Sequence, residues 1–210
     1  MPPAWPVSET PALPVLDPRP AKLAGLTPGP ALFYGHPQTA RLMHYFLLRP
    51  LWRGETVLVL DAANCFDAYW VARLARRHGR TPREYLQQIR LSRAFTCYQL
   101  AELIERVPPA VRRYQASLIL ITGLPDIFYD EEIPAAKTAA VFARAARSLL
   151  GLRRLHRPLV VFSNQPPFHP STRLHLLEPL QQQAAYVGKL IEDERGLRCL
   201  CEKASASLAA

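Results

Sequence analysis

TVLVLDAANCFDAYWVARLARRHGRTPREYLQQIRLSRAF, residues 56–95, is the stretch on which the fold turns. It opens with Thr56-Val57-Leu58-Val59-Leu60, a continuous apolar and partly β-branched run. Such a run fits a strand buried on both faces better than one with a wet side. Polar and small residues follow at Asp61-Ala62-Ala63-Asn64, the carboxyl end of that strand. Open α/β sheets keep their ligand crevices there. A helix is expected from Ala68 to His78, with Tyr69, Ala72, Leu74 and Ala75 among its less polar positions. Arg73, Arg76 and Arg77 lie toward its end, where cations suit the helix dipole. Gly79 closes it, and Thr81-Pro82 opens a shorter helix with a capping hydroxyl and a first-turn proline. Ile89-Arg90-Leu91 returns to a strand. Strand, helix, short helix, strand is a βαβ unit, so the class is α/β with a mostly parallel sheet flanked by helices.

Other segments extend the pattern. Ala31-Leu32-Phe33-Tyr34, Leu118-Ile119-Leu120-Ile121 and Pro158 to Phe162 read as further strands, and Ala135 to Leu155 as a long helix. Its apolar stripe is Val141, Phe142, Ala145, Leu149, Leu150 and Leu152. Tyr186–Ile191 and Leu197–Lys203, joined through Glu192-Asp193-Glu194-Arg195-Gly196, predict a C-terminal β-hairpin. The 210 residues suit one domain with a sizeable core. Residues 1–22 are proline-rich and aperiodic, 23–203 form the expected domain, and 204–210 a small-residue tail.

No run of 18 or more apolar residues occurs, and the N-terminus lacks the build of a signal peptide. A cytoplasmic location without membrane contact is the expectation. Cys65, Cys97, Cys199 and Cys201 form no CxxC pair, so a zinc site or a disulfide framework is not expected. They read as buried small hydrophobes. The net charge of +9, mostly arginine, makes nucleic acid the first candidate partner. The alternative is cations scattered over a solvated surface, since Arg76-Arg77, Arg112-Arg113 and Arg153-Arg154 stand far apart in the chain.

The order D-x-x-N-x-F, helix, H-G-R-T-P-R-E-Y-L-x-x-I, then L-S-R-A-F resembles the ATPase core of the RadA-type strand-exchange recombinases of the RecA superfamily. The similarity spans roughly Leu23 to Lys203. It implies a RecA-like P-loop NTPase fold. Gly35-His36-Pro37-Gln38-Thr39-Ala40-Arg41-Leu42 then falls where the family has G-x-x-x-x-G-K-[ST]. Each departure here has a physical consequence: Ala40 adds a Cβ where backbone should approach phosphate, and Arg41 replaces a compact ammonium with a wide fork. Leu42 has no oxygen for magnesium, and Pro37 removes an amide donor.

By the same resemblance, the glutamate that activates water is replaced by Ala63, and the metal-side aspartate by Thr122. Loss of one such group costs on the order of a hundredfold in rate. Asp126, Asp130, Glu131 and Glu132 lie nearby, where acidic loop residues are expected to be solvated. Gly35, Arg41, Asp61, Asn164 and Gln165 remain as degenerate nucleotide-binding positions. The Asn164-Gln165 pair matches the family's strand end, and buried amides satisfying backbone groups there are reason enough to keep it. No cofactor, catalytic residue or metal ligand is expected; the alternative is a rebuilt ATPase using ATP and Mg, with Arg41 on phosphate and Asp61 or Asp126 on the metal.

The family's second DNA-binding loop corresponds to Pro166–Gln183, with Phe168, His169, Arg173 and His175 as the candidate DNA contacts. Its first loop falls near Tyr129–Lys137, whose acidic residues repel phosphate. The family's Phe-x-x-Ala hook, which docks on a neighbouring subunit, is missing, because no Phe precedes Phe33. The sequence therefore leads to a catalytically inactive RecA/RadA-like protein of DNA recombination or repair, binding DNA or a RadA/RecA-family partner subunit.

Overall fold

A computed structural model describes residues 30–130, 132–164, 173–194 and 196–204 of the chain. The expected tail at 1–22 lies outside the described residues, as does the expected tail at 204–210 apart from Ala204, which ends the last strand. Among the described residues seven strands form one sheet: β1 (Pro30–Tyr34), β2 (Val57–Asp61), β3 (Ile89–Arg93), β4 (Leu118–Thr122), β5 (Leu159–Phe162), β6 (Tyr186–Asp193) and β7 (Gly196–Ala204). Their order is β3-β2-β4-β5-β1-β6-β7. Every pairing is parallel except the β6–β7 hairpin. β1, β2, β4 and β5 are buried along their whole length, as their unbroken apolar runs require.

Among the described residues seven α-helices cover the sheet: α1 (Met43–Trp52), α2 (Ala68–Arg77), α3 (Pro82–Leu86), α4 (Cys97–Glu105), α5 (Val107–Tyr114), α6 (Ala135–Leu152) and α7 (Leu177–Gln183). Helices α1 to α3 bury Met43, Leu47, Val71 and Tyr85 with Ala31, Phe33, Val57 and Val59 of the strands. Helices α4 to α7 bury Leu100, Ile104, Phe142 and Leu180 with Leu32, Leu58 and Leu60 from the alternate strand positions. Connections that step one way across the sheet thus run over one face, and those that step back run over the other. A single crossover hand demands that division.

Local chemistry sets the helix starts. The Asp67 carboxylate accepts from Trp70 N at 2.9 Å to cap α2. Thr81 and Glu84 form a reciprocal capping box ahead of Pro82, matching the expected cap-then-proline start. Thr96 caps α4, and Pro108-Pro109 sit in the first turn of α5, where a missing N–H costs nothing. The long helix expected to reach Leu155 ends at Leu152; a 3-10 turn follows over Arg153–Leu155, closed by His156 at φ +51°. The hairpin strands run further than expected, pairing from Tyr186↔Ala204 to Asp193↔Gly196. Two sequence readings need correction. Tyr69 is 81% exposed rather than part of the packed side of α2. Among the cysteines, Cys97 and Cys199 are buried, but Cys65 is half-buried and Cys201 exposed; Cys201 shares a strand face with Cys199, and the cover over that face of β7 ends at Cys199. Among the described residues, no helix is long and apolar enough to cross a membrane.

Candidate functional site: two closed crevices

Ligand crevices in such a sheet open where neighbouring strands send their helices to opposite faces. Among the described strands that holds on both flanks of β2, against β3 and against β4, and between β1 and β5; the sequence-predicted site residues fall at the β1–β5 and β2–β4 crevices. In both places the protein's own side chains bridge the gap.

At the first crevice the chain leaves β1 at Gly35, whose φ of +106° suits only glycine, and an added Cβ would lie 2.9 Å from Leu190 O of β6. The loop then folds on itself. His36 N donates to Thr39 Oγ1 at 3.1 Å, Gln38 N to His36 Nδ1 at 3.1 Å and Thr39 N to the His36 carbonyl at 2.9 Å. Ala40 N donates to Asn164 Oδ1 at 3.1 Å, and Arg41 N to the Gln38 carbonyl at 3.0 Å. Pro37 has no N–H. Every amide from His36 to Arg41 is therefore already engaged inside the protein, so none is left to line up on an anion.

Asn164 is held in turn. Its N–H donates to Asp126 Oδ2 at 2.7 Å, while Ser163 Oγ donates to Asp126 Oδ1 at 2.6 Å. The expectation of a solvated Asp126 is thus corrected. The turn after β4 folds its carboxyl back against the end of β5, and burial pushes its pKa up against the pull of those two donors. Asp130 and Glu132 are exposed, as expected, and Glu131 lies outside the described residues.

The second crevice is filled by Asp61, which is fully buried. Its Oδ1 accepts from Thr122 Oγ1 at 2.7 Å and from Cys65 N at 3.1 Å; its Oδ2 accepts from Phe66 N at 3.0 Å. Arg93 Nε stands 3.7 Å from Oδ2. The amides that might have wrapped an external anion wrap a resident carboxylate. Ala63 N donates to Thr122 Oγ1 at 3.3 Å, so the Ala62-Ala63 backbone lies directly on Gly123. Burial, and next the Asp61 carboxylate, push the Cys65 thiol up to about 12, which makes it a poor nucleophile at neutral pH.

His44 sits beside this loop and was not singled out by the sequence. Its Nδ1 donates to the Arg41 carbonyl at 2.9 Å, and its Nε2 accepts from Asp67 N at 3.0 Å. One donor and one acceptor define a neutral ring of a single tautomer. Desolvation keeps its pKa below the ordinary value. The His44 and Asp126 roles left one faint sequence signal each: a histidine at the second position of the first helix, and a carboxylate just after a Gly-Leu-Pro turn.

The structure brings Gly35, Arg41, Asp61 and Asn164 to the carboxyl ends of the central strands. Gln165, Phe168 and His169 lie outside the described residues. Arg173 is turned inward: it is 6% exposed, and its guanidinium donates to the carbonyls of Phe128, Asp130 and Ile133. It pins the loop after β4 rather than facing solvent. His175 is exposed on the 3-10 turn Leu174–Leu176. Leu42 and Ala63 offer no side-chain oxygen, and among the described residues no cluster of three or more His, Cys, Asp or Glu side chains is placed to hold a metal. No protein-family model matches the chain.

Proposed function

We propose that this chain is a RecA-like accessory protein of DNA recombination or repair that does not hydrolyse ATP and works by docking a recombinase-type subunit. The observation that carries the first half is the complete internal engagement of the loop amides from His36 to Arg41. Phosphate recognition at such a loop needs amides free to converge on an anion. The strand order, with β1 set between β5 and β6 and a terminal antiparallel hairpin, supports the RecA-like reading.

Support for docking comes from the other end of the sheet. Among the described residues, β3 is the terminal strand, and Arg90, Leu91 and Arg93 on it are exposed. Beside it lies a groove of about 400 Å³, floored by Leu58 and Leu60 and walled by Leu103, Val107, Ala110 and Tyr114. An open strand edge next to an apolar slot suits an extended peptide, whose backbone pairs with the edge while one side chain fills the slot. The recombinase hook named above has that character, so this chain would receive a hook although its sequence shows none.

The test is to mix the full chain with a RadA-type recombinase, follow co-elution by size exclusion, and measure the partner's ATPase rate. Ala110→Glu, which places a charge on the partly exposed groove wall, should abolish co-elution. Absence of co-elution by the parent chain, with an unchanged partner rate, would remove the docking reading. Mg-ATP-dependent phosphate release, abolished in Arg41→Ala, would remove the non-hydrolysing one.

A further inference from the structure

The face opposite the groove, at the carboxyl ends of α1 and α2, carries a second feature. Trp52, the last residue of α1, is 60% exposed. It is not loose: the His78 ring meets it edge to face at 4.9 Å, and His78 Nδ1 is within 2.7 Å of the Tyr85 hydroxyl. Tyr85 is buried in the core, so a chain of three rings anchors the exposed indole. Bracing of this kind holds the indole toward solvent, so little side-chain freedom is lost when something covers it.

The surroundings say what. Arg49 is one turn back on α1 and therefore on the same side as Trp52. Arg76 and Arg77 occupy the last turn of α2, directly before His78, and Arg83 lies on α3. All four are exposed, and none pairs with a carboxylate among the described residues. Arg53 and Arg80 do have partners, Glu55 at 3.9 Å and Glu84 at 3.5 Å, both solvent-exposed pairs of small worth. Six arginines thus stand on the segments that carry Trp52, His78 and Tyr85, against two glutamates.

We infer that this patch binds single-stranded nucleic acid, with a base stacked on Trp52 and the flanking phosphates on Arg49, Arg76, Arg77 and Arg83. A rigid exposed indole inside a field of unpaired guanidinium groups is the arrangement that single strands use: every base has a face to stack, and every linkage carries a charge. A duplex shields its base faces, and an acidic peptide has charges but no flat rings in register with them. The patch lies on the α1–α3 side of the sheet and the groove on the α4–α5 side, so the inference does not rest on the docking proposal.

The experiment titrates the full chain with an oligo-dT of about 20 nucleotides, following tryptophan fluorescence and anisotropy between about 50 and about 200 mM salt. Binding should weaken steeply with salt and quench fluorescence. Trp52→Ala should weaken it about tenfold or more, with Trp52→Phe restoring most of the affinity. The Arg76→Ala, Arg77→Ala double variant should lower the salt slope by about 2. These side chains are exposed, and circular dichroism verifies that each variant is folded. Either of two results overturns the inference: no binding at the lowest salt, or binding that all these variants leave unchanged. So does displacement by polyglutamate as effective as by oligo-dT with no effect of Trp52→Ala, which would mean a general polyanion surface.

Discussion

Thr122 Oγ1 donates a 2.7 Å hydrogen bond to the buried carboxylate of Asp61, joining the ends of β4 and β2 across the place where an external ligand would enter. The same hydroxyl accepts from Ala63 N, so one threonine satisfies both a charge and a backbone amide. Thr122→Val keeps the shape and removes both contacts. It should cost about 1–3 kcal/mol of stability in urea denaturation. Thr122→Asp should cost more, because it sets a second carboxylate against the buried first one, and part of that loss should return as the pH is lowered.

Gly123 offers an independent check on how tightly this crevice is closed. Its φ is +72°, and a Cβ there would lie 2.7 Å from Ala63 N. Gly123→Ala should therefore destabilise by well over the ~1 kcal/mol of backbone strain alone, since the contact is with backbone that cannot swing away. A variant as stable as the parent would show that the Ala62-Ala63 segment is not fixed against β4.

Replacing the missing oxygens should not restore hydrolysis. The double variant Leu42→Thr, Ala63→Glu regains the hydroxyl and the carboxylate, but Ala40 N remains bound to Asn164 and the other loop amides to their own loop. Phosphate release with Mg-ATP should stay at background. Turnover in that variant would mean that the loop opens readily, and the closed geometry would then not explain inactivity.

His44 predicts an acid-sensitive fold. Its folded pKa lies below the ordinary 6.5, so in the window beneath that value the unfolded chain binds a proton that the folded protein refuses. The stability it contributes is complete above about 6.5 and is lost as the pH falls toward its folded pKa. Urea midpoints measured from neutral to mildly acidic pH should decline over that window. His44→Gln should lower the neutral-pH stability and flatten the decline.

Asp126 predicts the opposite sign. Its folded pKa is raised above the ordinary 3.8, so the folded state holds its proton more tightly and that contribution is lost as the pH rises through the folded value. Asp126→Asn keeps an acceptor for Asn164 N without the buried charge. The variant should match or exceed the parent at neutral pH, and its advantage should shrink in acid. Destabilisation at neutral pH that vanishes in acid would reverse the assignment and make the ionised carboxylate the favoured form.

Much of this molecule was legible before folding. Val57 to Leu60, Leu118 to Ile121 and Leu159 to Phe162 are unbroken apolar runs, and only strands covered on both sides absorb such runs. The Thr81-Pro82 start and the position of the hairpin were equally local, since caps and turns are decided within a few residues. The absent oxygens at Leu42 and Ala63 were visible from residue identity alone. What no linear reading contained was where the remaining polar groups turn. Asp126 looked solvated until the turn after β4 set it on Ser163 and Asn164, and Arg173 looked available until its guanidinium closed on three carbonyls. Trp52 and His78 are 26 residues apart in the chain, yet the ends of α1 and α2 bring their rings into contact. Periodicity and caps act over a few residues; hydrogen-bond partners and charge clusters form between segments tens of residues apart, so only the packed sheet determines them.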